Sequence, residues 1–445
     1  MKSALVKLLA PALLLAGCDF QASFFGLDAI KTMKTPADDP ALACGVSLPA
    51  DSTAAQRDAC TWSTGVHTST SLGVTGTVAS QIPIRHVIVM MKENRSFDHL
   101  LGKLHDRGQP GTEAVPASYA NLDAQGVSVT PFHADTTCIT SDPGHQALSM
   151  REGVNGGAMD GWVKNAAQTT STDGHFAMSY NDESDLPFYY FLAKTYALND
   201  RHFAPMVSGT YANRNFYMFG TNAGAVDTGL VYPAPSTPSI FQLLMNQGYT
   251  WGSYTDSFPM SESLNWSNDA PGVHPMSELL KALDDGTLPN VVFVDAVSDV
   301  TDDHPVADLQ KGEAWTKQIY DHAVTSPQWN RLAIIWTYDE GGGFADHVPP
   351  GKGCPATPGS PFVDRGVRVP LVVISPWAKR NFVSHEVEDH TAITRFIELL
   401  FDLPALTARD ANSSALLDLF DFSCERNLSV PTAPQAATGG CANPP

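Results

Sequence analysis

The sequence predicts an α/β protein in which a doubly wound, mostly parallel sheet lies between layers of helices, with long loops. Four apolar runs have the length of buried strands, at residues 85–91, 291–295, 332–338 and 369–375. Near-continuous apolar runs of this kind are typical of parallel strands that are covered on both faces. Helical patterns lie between or after these runs, at residues 239–247, 311–324 and 391–401. Strands that alternate with helices favour the doubly wound arrangement.

The first 17 residues have the pattern of a secretory signal peptide. Lys2 and Lys7 make a basic start, an apolar stretch follows, and small residues end the segment. The segment Leu15-Ala16-Gly17-Cys18 resembles the lipobox of bacterial lipoproteins, whose cysteine becomes the lipidated N-terminus. A plain signal peptide with an incidental cysteine is the alternative. We therefore expect an exported protein, a periplasmic or cell-surface lipoprotein of a bacterium, attached to a membrane by lipidation of Cys18.

Composition divides the rest of the chain into three parts. Residues 18–80 predict a tether and surface arm, residues 81–425 one continuous domain, and residues 426–445 an irregular tail. Hydrophobic residues make up 43% of the 445, which is enough for a core. The formal net charge of −20 disfavours binding to nucleic acid, because an acidic chain repels phosphate polymers. An anionic substrate would need local positive charge, for which a bound divalent cation is the first candidate.

The number of cysteines supports export to an oxidising compartment. Six of the seven remain when Cys18 is set aside, and an even number suits a set of disulfides. The simplest set has two short terminal loops and one cross-link within the body. We therefore hypothesise the pairs Cys44–Cys60, Cys424–Cys441 and Cys138–Cys354.

Acidic side chains and histidines follow the predicted strands, where ligands bind in doubly wound sheets. Glu93 follows the first run, Asp339 and Glu340 follow the third, and the second is followed by Asp299, Asp303 and His304. Carboxylates that meet at one edge would repel each other unless a cation lay between them. Glu93, Asp339 and Glu340 are therefore candidate ligands for Ca²⁺, Mg²⁺ or Zn²⁺. The alternative for each acidic residue is a helix cap or a solvated turn.

A second cluster runs Ser208-Gly209-Thr210-Tyr211-Ala212-Asn213-Arg214. A small hydroxyl after a glycine could serve as a nucleophile, and the amide of Asn213 and the guanidinium of Arg214 could bind an anion such as phosphate. An ordinary Ser/Thr turn is the alternative explanation.

Polar segments occur along residues 81–402 in a characteristic order. The two longest are Glu93-Asn94-Arg95-Ser96-Phe97-Asp98-His99, which continues through Gly102, and Thr337-Tyr338-Asp339-Glu340-Gly341-Gly342-Gly343-Phe344, which continues through Pro350. The shorter ones are Asp142-Pro143-Gly144-His145, Met159-Asp160-Gly161-Trp162, Thr210 to Arg214, Asp303-His304-Pro305 and Asp389-His390-Thr391. Together they resemble the signature of the bacterial phospholipase C and acid phosphatase phosphoesterase family.

The resemblance implies an alkaline-phosphatase-like fold and hydrolysis of a phosphomonoester or a phospholipid by the domain at residues 81–425. It also implies that Glu93, Asp339 and Glu340 are metal ligands and that Thr210 is a nucleophile that also touches the metal. Asn94 would contact a phosphate oxygen, and His145 and His304 would flank the phosphate group. Ala212 stands where family members commonly carry proline. Ser208 therefore remains an alternative nucleophile.

The chemistry implied is transfer of the phosphoryl group to the Thr210 hydroxyl, followed by hydrolysis of the phospho-enzyme. A histidine near neutral pKa would protonate the leaving alkoxide. His390, with Asp299 or Asp303, is a candidate accessory or second metal site, and a helix-capping role for His390 is the alternative. A catalytically inactive surface-binding protein on the same fold is the rival interpretation. The sequence has no P-loop and no G-x-S-x-G motif, which argues against NTPases and α/β-hydrolases.

Overall fold

The centre of the protein is an eight-stranded sheet, seen in a computed structural model that describes residues 45–264, 272–423 and 429–441. Its strands, in chain order, are β1 (His86–Lys92), β2 (Ala197–Asn199), β3 (Trp251–Tyr254), β4 (Val273–His274), β5 (Val291–Val294), β6 (Leu332–Tyr338), β7 (Leu371–Ile374) and β8 (Phe382–Ser384). Their order across the sheet is β8-β2-β7-β6-β1-β5-β3-β4. The longest strands, β1 and β6, therefore lie side by side near the middle.

The sheet is mostly parallel, as predicted. Ile88 on β1 pairs in parallel with Val292 on β5 and with Ile334 on β6. Strand β7 runs antiparallel to both of its neighbours, β6 and β2. The expectation of a parallel strand at residues 369–375 is therefore wrong. A strand that is buried on both faces has the same apolar pattern in either direction, so composition does not reveal its direction.

Thirteen α-helices lie in the described ranges, together with short 3-10 turns and two-residue strands. Their bounds are α1 Ala54–Asp58, α2 Thr68–Ser71, α3 Gly76–Gln81, α4 Phe97–Leu101, α5 Ala147–Val154, α6 Trp162–Thr169, α7 Pro187–Thr195, α8 Thr210–Phe219, α9 Ile240–Asn246, α10 Met276–Asp285, α11 Leu309–Thr325, α12 Thr391–Phe401 and α13 Ala408–Ala411. The predicted helices correspond to α9, α11 and α12. None of the helices in the described ranges is long and apolar enough to cross a membrane.

The main hydrophobic core surrounds the sheet and fixes the strand ends. Every residue of β1 and β6 is buried, and so is every residue of α12. A helix that is buried on all sides is a core helix. The carboxyl ends of β1 and β6 are thus rigidly held, which suits them to carry a site that needs defined geometry.

Residues 45–80, which lie within the predicted tether and surface arm, pack against this core. They form α1 to α3 and bury Val46, Leu72, Val74 and Ala79. The few apolar residues of this polar segment are therefore the ones that attach it. The predicted signal peptide, the lipidation site at Cys18 and the rest of the arm up to residue 44 lie outside the described residues.

The disulfides differ from the hypothesised set. Cys60 is bonded to Cys354 and Cys138 to Cys441, so the predicted pair Cys138–Cys354 and the partners predicted for Cys60 and Cys441 are wrong. Cys44 and Cys424, the other two cysteines of the hypothesis, lie outside the described residues. The hypothesised set assumed that the terminal cysteines close short loops, whereas the fold joins Cys60 and Cys441 to residues about 300 positions away.

We expect peptide mapping without reduction to recover peptides that join Cys60 to Cys354 and Cys138 to Cys441. Reduction should lower the free energy of unfolding by about 2–5 kcal/mol for each bond, because each closes a long loop of the unfolded chain. The measurement is urea unfolding with and without reductant. A linked peptide that joins Cys138 to Cys354 would contradict the structure.

Candidate active site

The carboxyl ends of the neighbouring strands β6, β1 and β5 meet around one guanidinium group. Arg214, on α8, donates from Nη2 to Glu93 Oε1 and from Nη1 to Asp295 Oδ1, each at 3.1 Å. Its Nε donates to Asp339 Oδ2 at 3.2 Å, and Nη2 also donates to the main-chain oxygen of Met91 at 3.0 Å. The sequence assigned Arg214 to a phosphate group. Its side chain is 1% exposed, and its donors are directed at carboxylates instead.

Asn94 joins two of the carboxylates to two histidines. Its main-chain N–H donates to Asp339 Oδ1 at 3.1 Å. The surrounding groups fix the orientation of its amide, whose nitrogen donates to Asp339 Oδ1 at 3.2 Å and to Glu340 Oε1 at 2.7 Å. The amide oxygen accepts from Nε2 of His304 at 2.9 Å and from Nε2 of His145 at 3.3 Å. These five residues, all predicted from the sequence, form one connected group.

The rings of His145 and His304 lie close together, with centroids 5.6 Å apart. Nδ1 of His145 is 2.9 Å from the main-chain oxygen of Pro143 and 3.5 Å from a carboxylate oxygen of Asp142. Burial by itself would lower the pKa of His145, but the hydrogen bond to Asp142 and the nearby charge of Glu340 raise it to about 10. These contacts favour the protonated form of His145, which can attract an anion.

Thr210 is the first residue of α8, one helical turn before Arg214 and on the same face. Thr210 is buried, with 8% of its surface exposed, and the first main-chain N–H groups of a helix favour an anion. The preceding turn is packed directly against His145, because a Cβ at Gly209 would lie 3.2 Å from the main-chain oxygen of His145. Thr210 therefore begins the helix that carries Arg214, directly after a turn that packs against the main chain of His145.

Asn213 and Ser208 have structural partners. Asn213 accepts from the main-chain N–H of Met206 at 2.8 Å and donates to the main-chain oxygens of Ser208 and Gly209. It therefore holds the turn that leads into α8 rather than facing a ligand, as the sequence had suggested. Ser208 is fully buried and donates its hydroxyl to the main-chain oxygen of Val226 at 2.9 Å. The geometry favours Thr210 over Ser208 as nucleophile.

Carboxylates outnumber cations in this cluster. Glu93, Asp295 and Asp339 are buried around Arg214, and Glu340, the chain neighbour of Asp339, is buried as well. Burial raises the pKa of Glu93 and of Asp295, and burial together with the charge of Asp339 raises the pKa of Glu340 to about 8. Such shifts mark negative charge that its surroundings do not balance. Hard oxygen donors with excess negative charge fit a divalent cation, so the predicted ligands Glu93, Asp339 and Glu340 suit the predicted metal.

The predicted ligands do not lie as close together as some other groups in the described ranges. Three sets of potential ligand atoms lie within 4.8 Å of one another: Asp142–His145–His304, Asp98–Asp346–His347 and His133–Asp182–Asp185. The second of these already holds a cation, because Arg368 donates to Asp98 at 2.8 Å and to Asp346 at 2.9 Å. This buried ion-pair cluster ties α4, which follows β1, to the loop after β6.

The candidate second metal site is not assembled. Asp299 is exposed, with a carboxylate oxygen 3.6 Å from Nδ1 of His304. Asp303 is fully buried, and its carboxylate is paired with a buried lysine. His390 occupies the N-cap position of α12 without a side-chain cap, and its Nε2 donates to the main-chain oxygen of Asp339 at 2.8 Å. The three residues therefore have separate partners and do not form one metal site.

Sequence reasoning missed Asp295. It was taken as the last residue of the second strand, but it follows β5 and shares Arg214 with Glu93 and Asp339. The sequence did contain a sign of this role, because Asp295 follows a buried apolar run just as Glu93 and Asp339 do. Reading every carboxylate that follows a strand as a site candidate would have found it.

Comparison with known proteins gives the family. The chain matches the Phosphoesterase family over residues 84–404, which is more than half of its length. The protein belongs to the Phosphoesterase family. The matched range contains all the residues that the site brings together, from Glu93 to Glu340.

The similar proteins of this family are phospholipases C. Non-specific phospholipase C1 of Arabidopsis thaliana is 33% identical over 376 residues, covering 74% of this chain and 70% of the relative. Phospholipase C B of Mycobacterium tuberculosis is 28% identical over 417 residues, covering 78% of this chain and 80% of the relative. A solved protein of the alkaline phosphatase superfamily from Vibrio parahaemolyticus matches 71% of this chain and 78% of its own with 11% identity and a TM-score of 0.36. This phosphoesterase is therefore a hydrolase that acts on phosphoric ester bonds.

We expect Arg214→Met to destabilise the metal-free protein by about 3–5 kcal/mol, because it leaves several buried carboxylates without their cation. The measurement is urea unfolding in the presence of a chelator. Arg151→Met is the control, since Arg151 is exposed on α5 and its replacement should change stability little. A variant that keeps its stability and loses only substrate affinity would restore the phosphate-binding role.

Proposed function

We propose that this phosphoesterase is an exported, metal-dependent phospholipase C that works through phosphorylated Thr210. The observation that carries the proposal is the group formed by buried carboxylates, Asn94 and two histidines beside the start of α8. The phospholipase C relatives support a phospholipid as the substrate. An acid phosphatase is the second candidate, because a phosphomonoester needs the same phosphate contacts.

The first step is transfer of the phosphoryl group to Thr210. A bond forms between Thr210 Oγ1 and phosphorus, the bond from phosphorus to the leaving oxygen breaks, and the threonine proton passes to water. His304 gives the proton of Nε2 to the leaving oxygen. His145 binds an oxygen that gains charge as the phosphorus is attacked. Asn94, whose amide N–H groups are bonded to Asp339 and Glu340, holds the two histidines in place rather than contacting the phosphate.

The second step releases the phosphoryl group. Water attacks the phosphothreonine while His304 takes a proton from it, the bond from phosphorus to Thr210 Oγ1 breaks, and solvent returns to this oxygen the proton that it lost in the first step. In a phospholipase C the products of the two steps are diacylglycerol and the phosphorylated headgroup.

Glu93, Asp339 and Glu340 would hold the divalent cation. When it is bound, the cation supplies positive charge that lowers the pKa of a neighbouring hydroxyl and neutralises phosphate oxygens. This positive charge would be needed to attract the substrate, because a chain with a net charge of −20 repels an anionic ester at long range.

A phospholipid is larger than a simple monoester, and a cavity of about 380 Å³ lies beside the turn that leads to Thr210, although none of the candidate site residues lines it. Its walls include apolar Met206, Val207 and Phe362, together with basic Arg151 and Lys352. Export and lipidation at Cys18, which rest on the first 18 residues, would bring the enzyme to a membrane where such a substrate occurs.

We expect hydrolysis of p-nitrophenylphosphorylcholine to stop on exhaustive chelation and to return with one of Ca²⁺, Mg²⁺ or Zn²⁺. Glu93→Gln should lose metal and turnover together, because it replaces a charged ligand with a neutral one of the same shape. Metal analysis and steady-state kinetics check both losses.

Glu113→Gln is the matched control, since Glu113 is a half-buried residue paired with Arg201. Full turnover by protein that contains no metal would contradict the metal site. Faster hydrolysis of p-nitrophenyl phosphate than of the phosphorylcholine ester would favour the acid phosphatase. No turnover of either ester with any of these metals would favour the inactive surface-binding protein.

We expect Thr210→Val to lower kcat by several orders of magnitude with little change in substrate binding, because the attacking oxygen is lost. Thr210→Ser should retain part of the activity, since the hydroxyl remains. Acid quenching during turnover, followed by peptide mapping, should find phosphate on Thr210.

The matched control for the nucleophile is Ser208→Ala, which removes a hydroxyl two residues away. It should remain active and still be phosphorylated at Thr210. Phosphate on Ser208, or an active Thr210→Val enzyme with no covalent intermediate, would transfer the role elsewhere.

A further inference from the structure

A fully buried ion pair lies beneath the site and belongs to no step of the proposed reaction. Nζ of Lys92, the last residue of β1, is 2.8 Å from Oδ2 of Asp303, and neither side chain is more than 1% exposed. The same oxygen accepts hydrogen bonds from the hydroxyls of Tyr189 at 2.8 Å and Tyr338 at 2.5 Å. Burying a charge pair is costly unless its geometry is well satisfied, so the pair needs a reason.

The residues joined by this pair are the chain neighbours of the site groups. Lys92 precedes Glu93, and Asp303 precedes His304. Two hydrogen bonds to main-chain oxygens also join the segment after β1 to the loop of Asp303. The N–H of Glu93 donates to the oxygen of Asp302 at 2.8 Å, and Nε of Arg95 donates to the oxygen of Asp303 at 2.7 Å. The loop that carries His304 is therefore bonded to residues on both sides of Asn94.

The surroundings are shaped for this pair. A Cβ at Gly312, on α11, would lie 1.6 Å from Oδ1 of Asp303 and 2.6 Å from Nζ of Lys92, so no larger residue fits there. Asp303 itself has a φ of 73°, a left-handed conformation that is uncommon for a residue with a side chain. Such a conformation persists where the surrounding contacts hold it. It sets the direction in which the chain continues to His304.

We propose that Asp303 is a positioning residue, which holds the imidazole of His304 against Asn94 through its buried ion pair with Lys92. This inference rests on the role proposed above for His304 as the proton donor to the leaving oxygen. It also assigns Asp303 a role other than metal ligand, because its Oδ2 already binds an ammonium group and two phenol hydroxyls.

A misplaced proton donor has a kinetic signature that general damage lacks. An alkoxide leaving group needs a proton in the transition state, whereas p-nitrophenolate leaves readily without one. The two substrates are dihexanoylphosphatidylcholine, whose leaving group is an alcohol, and p-nitrophenylphosphorylcholine. The quantity measured is kcat/KM for each, with each variant compared with the wild-type enzyme.

Asp303→Asn should reduce kcat/KM for the lipid at least about tenfold more than for the nitrophenyl ester, a part of the 10²–10⁴-fold worth of general acid catalysis. Because Asp303→Asn leaves a buried lysine unpaired and can fail to fold, Tyr189→Phe is the second variant. It removes one hydroxyl donor to Asp303 and should shift the ratio in the same direction by a smaller factor. Tyr190→Phe is the matched control, since its buried hydroxyl contacts the main-chain oxygen of Asn181 instead. It should leave the ratio unchanged.

His304→Gln tests the role on which the inference rests. It should shift the ratio more than Asp303→Asn, and adding Asp303→Asn to it should shift the ratio no further, because the two residues act as one unit. Metal analysis should find the wild-type metal content in Asp303→Asn and Tyr189→Phe.

Equal losses on both substrates in Asp303→Asn or Tyr189→Phe would reduce Asp303 to a structural role and overturn the inference. Loss of a metal equivalent in Asp303→Asn would overturn it in favour of a ligand role. If His304→Gln leaves the ratio unchanged while the enzyme remains active, the proton-donor role fails and the inference falls with it. If the wild-type enzyme hydrolyses neither ester with any metal, the proposed function itself has failed.

Discussion

The position of Arg214 is the constraint on which the rest of the site depends. One guanidinium group on α8 binds carboxylates that follow three different strands, Glu93, Asp295 and Asp339. A buried carboxylate is strongly unfavourable without a partner, so the helix cannot shift without exposing or unpairing at least one of them. The donors of a guanidinium group point in fixed directions, so they also fix where the three carboxylates lie around it. Thr210 lies one turn before Arg214, and its location relative to the carboxylates follows from this contact.

The same principle organises the loops around the sheet edge. Arg368 joins Asp98 to Asp346, and Lys92 joins β1 to the loop of Asp303. A chain with a net charge of −20 has few cations, and it uses several of them internally rather than on its surface. Loops held by paired, buried charges have little freedom. Catalysis of phosphoryl transfer consists mainly of positioning and charge stabilisation, so such loops suit the reaction.

The site combines excess buried negative charge with donors for a phosphate group. Burial disfavours the charged forms of Glu93 and Glu340 and so raises the pKa of each carboxyl. A divalent cation bound to these carboxylates would stabilise their charged forms. Asn94 links these carboxylates to the two histidines, and the surroundings of His145 raise its pKa. A phosphoric ester needs the carboxylates and the histidines at once. The family membership and the geometry therefore agree on the class of reaction.

The sequence by itself determined the α/β class, the positions of four central strands and three helices, and the carboxylates Glu93, Asp339 and Glu340. It could do so because apolar runs report burial and because the ends of parallel strands meet at one edge. The resemblance of the polar segments to a known family added the roles of Asn94, His145 and His304. Only the tertiary structure decided what each charged side chain faces. Arg214, Asn213 and Asp303 have residue types suited to a ligand, but they bind protein groups, and their partners lie far away in the chain. The direction of β7 and the pairing of Cys60 with Cys354 were likewise beyond the sequence, because both depend on contacts between distant segments that no local pattern records.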